Sequence, residues 1–172
     1  FHTSVGDIAP QMEMIAAPVY FFRHGAATFD GTAVAIGLSL VGAQSEGWVR
    51  LRSVDPAAPP RICNNYFEDP RDMQSMLDGI ERAREVMAST ALKGTVGKEI
   101  HPGPSYGTTR SDLERAVRAE VEHTYPPSCT TRIGAPGDGV LDEQLRVYGV
   151  SGLRVADASA MPRVTHGNTH AP

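Results

Sequence analysis

Apolar and polar residues alternate through much of the first third of the chain, and in two later segments the apolar spacing widens to three or four. Gln11 to Val19 (QMEMIAAPV) alternates in part and then turns apolar, which predicts a strand. Thr32 to Gln44 (TAVAIGLSLVGAQ) alternates apolar with small or polar residues, and Trp48 to Val54 (WVRLRSV) alternates again. Ser45-Glu46-Gly47 between them has turn chemistry, so the two segments read as a β-hairpin. Tyr20 to Gly31 (YFFRHGAATFDG) mixes aromatics with Gly and Asp and reads as a loop with an aromatic anchor.

Asp55 to Pro60 (DPAAPP) excludes helix and central strand, because proline lacks a donor and restricts the residue before it. Arg61 to Phe67 reads as a short extended piece. Asp69 and Pro70 then supply an N-cap and a first helical residue. Met73, Met76, Leu77, Ile80, Ala83 and Val86 follow at helical spacing with charges between them, the pattern of a core-facing stripe. Lys93 to Thr109 is rich in Gly, Pro and Thr and reads as irregular. Ser111 to Val121 predicts a second helix, with Ser111 and Glu114 as its capping box. Beyond Tyr125-Pro126-Pro127 come a Gly-rich loop from Gly134 to Gly139 and two short strand-like pieces, Val140 to Val147 and Leu153 to Ala156. This order predicts an α+β fold, an antiparallel sheet flanked by helices.

The 172 residues suffice for one domain or for one lobe of something larger. With 41% hydrophobic and 21% charged residues the balance is that of a folded protein. The net charge of -4 is interleaved, and no basic stripe exists to track a phosphate backbone, which argues against nucleic acid as a partner. No apolar run approaches bilayer-spanning length. Cys63 and Cys129 are too few and too far apart for a disulfide scaffold or a zinc-ligand set. They read as two small buried thiols in a reducing compartment, hence a cytoplasmic protein. The chain opens at Phe1 without an initiator Met and closes at Ala171-Pro172 after a polar turn, which reads as a piece of a longer polypeptide.

The common catalytic templates are absent. No GxGxxG or HExxH occurs, no paired-Cys metal spacing exists, and the six histidines follow no ligand spacing. The tail stands apart. Gly152 to Pro162 (GLRVADASAMP) is a short strand ending in small residues, where a ligand or another backbone can approach closely. Asn168, Thr169 and His170 then crowd polar side chains into one turn, although Asx and Thr turns also serve as ordinary caps.

The run from Val140 to Pro162 (VLDEQLRVYGVSGLRVADASAMP), followed by Gly167-Asn-Thr-His-Ala-Pro172, resembles the C-terminal signature of the glucose-methanol-choline (GMC) oxidoreductases. Upstream, Gly47 to Pro60 (GWVRLRSVDPAAPP) is similar to the family's strand and proline loop. Arg61 to Val86 is similar to its "NY" approach to a helix, and Cys129 to Gly134 (CTTRIG) to a loose version of its "GTC-x-MG" segment. The resemblance covers about residues 45 to 172 and points to the family rather than to one member.

It implies an FAD-dependent oxidoreductase that oxidises an alcohol by hydride transfer. The chain would be the substrate domain, spanning 1–172 with the return segment 150–172, and the Rossmann FAD-binding half would lie outside it. By that resemblance Asp157 and Ala158 lie beside the FAD, near its ribityl and pyrophosphate region, and Asn168, Thr169 and His170 lie next to the isoalloxazine ring. The family's base is a His just before the "GTC-x-MG" segment, paired with a His or Asn in the "GNT" turn. Asn168 matches the second member, but Pro126 stands where the first is expected. Proline has neither a titratable group nor a donor. The resemblance thus leaves three readings. One is an alcohol dehydrogenase or oxidase using His123 or His170 as a displaced base, which is preferred because the flanking blocks match. The others are a photodecarboxylase-like member with altered chemistry, and a catalytically dead flavoprotein lobe. The expected partners are a small-molecule alcohol and the FAD-binding half, and no metal is expected.

Overall fold

The structure, a computed structural model, describes residues 1–3 and 9–169. It contains β1 (Met12–Ala17), β2 (Ala35–Leu40), β3 (Trp48–Arg50), β4 (Arg61–Cys63), α1 (Pro70–Met87) and α2 (Arg110–Glu120), with 3-10 turns at Arg23–Gly25 and Ala158–Ala160. The α+β prediction holds, with the antiparallel pairing divided between two two-stranded sheets, β1–β2 and β3–β4. Residues divide into two compact units, Phe1–Leu40 with Pro70–Thr124, and Val41–Asp69 with Tyr125–Pro172.

In the first unit, β1 and β2 pair in register from Met12 opposite Leu40 to Ala17 opposite Ala35. Both strands pack against α1. Met12, only 1% exposed, is the buried anchor, and its terminal methyl rests against Gly79 of α1. A helix has no side chain at glycine, and here that absence lets the strand approach. Met73, Leu77 and Ala83 are buried and Met76 and Ile80 half-buried, as the spacing predicts. Val86 is the exception and is exposed, because a 3.6-residue repeat from Met73 carries the stripe through Ile80 to half-buried Met87 instead.

The second helix starts one residue earlier than expected. Thr109 is its N-cap and forms the capping box with Asp112, whose carboxylate accepts from the Thr109 backbone N–H. Two overlapping cap patterns compete here, and the upstream one is used. Ser111 therefore lies inside the helix rather than at its start. The 20–31 loop carries its aromatic anchor as expected, with Phe22 stacked on His101 (4.0 Å between ring centres) and Tyr20 on Phe29 (5.3 Å). The irregular 93–109 segment is tied to α1 by Arg84, which donates to both oxygens of Glu99 at 2.9 and 2.7 Å.

In the second unit the predicted hairpin of Thr32–Gln44 with Trp48–Val54 does not form. Gly42 takes a positive φ of 70° and ends the extended run, so Ser45–Gly47 is not left to reverse it. Those residues instead hold the approach to α1: Ser45 Oγ accepts from Asp69 N at 3.0 Å and Glu46 O from Asn65 Nδ2 at 3.1 Å. β3 pairs with β4, placing Val49 opposite Ile62 and Arg50 opposite Arg61, and the proline loop spans the gap between them.

Val140–Val147 and Leu153–Ala156 reduce to isolated bridges, Leu141 with Val147 and Arg146 with Arg154. Positive φ at Leu145, Gly149 and Gly152 curls the chain too often for a ladder to extend. Asp142 fixes one such curl by accepting from Gln144 N and Arg146 N, both at 2.9 Å. The Gly-rich loop closes on itself, and a methyl at Gly139 would strike the Gly134 backbone. Leu141, fully buried at 0% exposure, sits at the centre of this irregular region. No helix among the described residues is long and apolar enough to cross a membrane.

Met12 and Leu141 are the largest fully buried side chains among the described residues. Met12→Ala and Leu141→Ala should each cost about 2–5 kcal/mol, because each removes buried contacts and leaves a cavity. Equilibrium urea denaturation of the 172-residue chain measures this, and a loss below about 1 kcal/mol would contradict the assigned core. A second expectation concerns acid. Burial raises the Glu99 pKa, but the hydrogen bonds from Arg84 and Gly103 N and the Arg84 charge outweigh it and hold the carboxyl below its usual value. A lowered folded-state pKa contributes stability above the unfolded value of about 4.3, and that contribution is lost as pH falls through the folded value. Glu99→Gln should therefore flatten the fall in stability between about pH 5 and pH 3. An unchanged acid limb would show that the Arg84 pairing contributes nothing.

Candidate functional site

The small-residue tail is built into the second unit by its backbone. The N–H groups of Cys129, Thr131 and Ile133 donate to the carbonyls of Ala158, Ser159 and Ala160 at 3.2, 3.0 and 3.0 Å. Alternate residues of one segment thus clamp three consecutive carbonyls of the 3-10 turn. Ala160 beneath it is buried, where only a small side chain fits, while Asp157 is exposed and Ala158 half-buried.

Asp157 caps the turn. Its Oδ1 accepts from Ser159 N at 2.8 Å and from Ser159 Oγ at 2.5 Å. The Ser159 hydroxyl, and then its backbone N–H, hold the Asp157 carboxyl below the usual carboxylate range. The backbone N–H groups of Asp157 and Ala158 donate to nothing among the described residues. N–H groups without an acceptor among the described residues, a carboxylate held by Ser159 and a methyl-sized side chain suit a ligand that brings both acceptors and hydroxyls.

The second polar turn follows within the same unit. Thr165 O accepts from Gly42 N at 3.2 Å, and Thr165 Oγ1 donates to Gly167 O at 2.6 Å. The His166 ring lies over Gly42, occupying the place of a side chain there. Asn168 is exposed and Thr169 half-buried at the end of this turn, and His170 lies outside the described residues. Asp157, Ala158, Asn168 and Thr169 thus share one unit.

His123 belongs to the first unit. Its ring sits 4.8 Å from that of His24, whose Nε2 is 3.7 Å from Glu122 Oε2. Pro126 belongs to the second unit, between positive-φ residues Tyr125 and Cys129. Among the described residues no cluster of three or more His, Cys, Asp or Glu side chains could hold a metal ion.

Sequence reasoning did not single out Thr131, Ser159, His166 or Gly42. Ser159 and Thr131 lie inside the segments that carried the resemblance, but their mutual contact bridges 28 residues and has no local signature. Gly42 did carry a signal, since an isolated glycine in a strand pattern marks a break or a close approach.

The comparisons place this α+β scaffold with its two polar turns among the oxidoreductases by family. The chain belongs to the GMC oxidoreductase family, whose C-terminal profile matches residues 43–172. It is 37% identical over 166 residues to the oxygen-dependent choline dehydrogenase of Paraburkholderia phytofirmans, covering 96% of this chain and 29% of that protein. It is 35% identical over 165 residues to the mitochondrial choline dehydrogenase of Homo sapiens, covering 95% of this chain and 28% of that one. Among solved structures, an R554A variant of the formate oxidase of Aspergillus oryzae RIB40, studied for its FAD modification, superposes with a TM-score of 0.83. That match is at 27% identity and covers 95% of this chain and 29% of the oxidase. The chain therefore spans less than a third of the length of the curated relatives it matches.

The seating of His166 on Gly42 yields a test of the turn's construction. Gly42→Ala combines a positive φ with a methyl placed in the imidazole, so it should displace residues 165–169 and cost about 1 kcal/mol or more. NMR shifts of the His166 ring and the Asn168 side-chain amide report the displacement. Unmoved resonances would mean that the turn does not rest on Gly42.

Proposed function

We propose that this chain is the substrate-side lobe of an FAD-dependent oxidoreductase that converts an alcohol to an aldehyde or ketone. The observation that carries the reading is the presence of both family turns, 157–160 and 165–169, in one compact unit. The choline dehydrogenase relatives support it and make choline the first alcohol to try. The N–H groups and carboxylate of the 157–158 segment suit FAD, whose remaining contacts would come from a polypeptide segment beyond these residues.

Bound FAD would supply the two-electron acceptor for hydride leaving the alcohol carbon. The chain's own residues handle the oxygen. Asn168 hydrogen-bonds the alcohol oxygen and orients the carbon, and a histidine takes the hydroxyl proton so that the carbon becomes a strong hydride donor. With Pro126 in the position where the resemblance puts a histidine, that role passes to His123 or His170. Two electrons and one hydrogen leave as hydride, the proton goes to the imidazole, and the carbonyl forms.

Pro126 supports a second reading, a lobe with photodecarboxylase-like chemistry or with none. The test uses the flavin-loaded polypeptide that carries this chain, mixed anaerobically with choline and a panel of primary alcohols. Bleaching of the oxidised flavin absorbance is expected. Asn168→Ala should reduce kcat/KM on the order of a hundredfold, and alanine at either His123 or His170 should remove the pH dependence of the base. No bleaching across the panel would overturn the first reading. Light-dependent CO2 release from a fatty acid would then identify the altered chemistry, and a gain of alcohol activity in Pro126→His would identify a lobe that had lost its base.

A further inference from the structure

The connection between β1 and β2 contains a stretch of backbone that its own residues resist. Arg23 and His24 take φ of 50° and 52°, and Gly25 follows at 83°. A left-handed φ suits glycine, but in any other residue it brings Cβ too close to the following carbonyl. Two such residues in succession keep that conformation only where the surroundings impose it. The turn also closes on itself, Gly25 N and Ala27 N donating to Phe22 O at 3.0 and 3.3 Å and Ala26 N to Arg23 O at 2.9 Å.

The contacts that impose it come from distant segments of the same unit. Glu122 Oε2, just past the end of α2, accepts from His24 N at 3.0 Å and lies 3.7 Å from His24 Nε2. The His101 ring stacks on Phe22, which also has the Arg23 guanidinium 5.5 Å from its centre. Glu120 steadies the His101 side, accepting from Tyr106 Oη at 2.9 Å and lying 3.9 Å from His101 Nδ1. Arg23, His24, His101 and Glu122 are all exposed. Burial therefore contributes little to this closure, whereas α1 and α2 each bury an apolar face. A strained, exposed segment held by polar contacts opens at a lower free energy than the packed helices beside it.

We propose that residues 20–31 form a strap with two states. It is closed where Glu122 and His101 hold residues 22–25, and open where Arg23 and His24 relax out of the left-handed region. Glu122 is the latch, because a carboxylate that accepts a backbone N–H makes a strong, charge-assisted bond. Opening takes the His24 ring from its place 4.8 Å from that of His123. The strap thus sets what surrounds one of the two candidate bases. That consequence rests on the proposed alcohol oxidation, but the strap itself does not, and its test reads no turnover.

The experiment is hydrogen–deuterium exchange of the flavin-loaded polypeptide that carries this chain, read at residue resolution by mass spectrometry and corrected for each variant's intrinsic rates. The amides of Gly25, Ala26 and Ala27 are the reporters, since their acceptors are the carbonyls of Phe22 and Arg23 and not Glu122. In the wild type they should be protected, yet exchange faster than the amides of α1. Glu122→Ala should speed their exchange on the order of tenfold, and His101→Ala should speed it as well, with α1 unchanged. Arg23→Asn and Arg23→Val remove the same guanidinium but differ in backbone preference, because asparagine tolerates the left-handed region and a β-branched residue does not. The first should slow exchange about fivefold and the second quicken it by a similar factor. Wild-type exchange in Glu122→Ala overturns the latch. Equal exchange in the two Arg23 variants overturns the two-state strap, as do reporter amides that are unprotected in the wild type or that exchange only together with α1.

Discussion

The carbonyls of Ala158, Ser159 and Ala160 are held by three N–H groups that arrive from Cys129, Thr131 and Ile133, and the second unit depends on that clamp. Each such bond contributes only about 0.5–1.5 kcal/mol net, but an unmade one among half-buried groups costs more than that. The three act together because they join two segments separated by some 28 residues of irregular chain. Everything said of Asp157 presumes that the turn beneath it does not move. The clamp supplies this constancy with no regular sheet, in a region where the other pairings are single bridges.

The two units are stabilised differently. The first follows the usual plan of a helix laid on a hairpin, with Met12, Met73, Leu77, Leu113 and Ala116 buried around the contact. Among the described residues the second buries Leu141 completely and Val41, Phe67 and Ala160 nearly so. Polar structure adds to these: Asp142 and Asp157 capping their own turns, Arg132 spanning Glu46 and Asp138, and Gly134 pressed on Gly139. The polar groups that hold the unit together are thus the same kind of groups that a ligand would use.

What could be read from the sequence divides along the same line. Periodicity located α1 and α2, because each buries one face and a buried face leaves a repeat in the residue order, while β1 and β2 showed partial alternation although neither buries a clean face. It misjudged their partners. β2 pairs back to β1 across an 18–34 connection, while the short Ser45–Gly47 stretch that looked like a turn is occupied with Asn65 and Asp69. The family segments at 129–134 and 157–162 were legible as strings of residue types. The contact of Thr131 with Ser159 was not, since neither side chain has an apolar repeat or a local motif to announce a long-range hydroxyl pair. Gly42 was visible as an anomaly in a strand, but its reason, the imidazole of His166 above it, lies more than 120 residues away in the chain.

The division of the chain also bears on the order in which it can be assembled. Each unit is made of two stretches, and the second unit's first stretch, Val41–Asp69, is inserted between the two stretches of the first. During synthesis β3 and β4 are made before α1, yet the segments that clamp and cap their unit begin only at Tyr125. Domains made of contiguous chain close as they emerge, whereas here residues 41–69 must wait through the making of both helices. The hairpin is left to stand on its own for that interval, and Leu51 and Val54 are almost wholly uncovered in the structure. The second unit can close only once residues from Tyr125 onward have been made, and its first stretch waits for them.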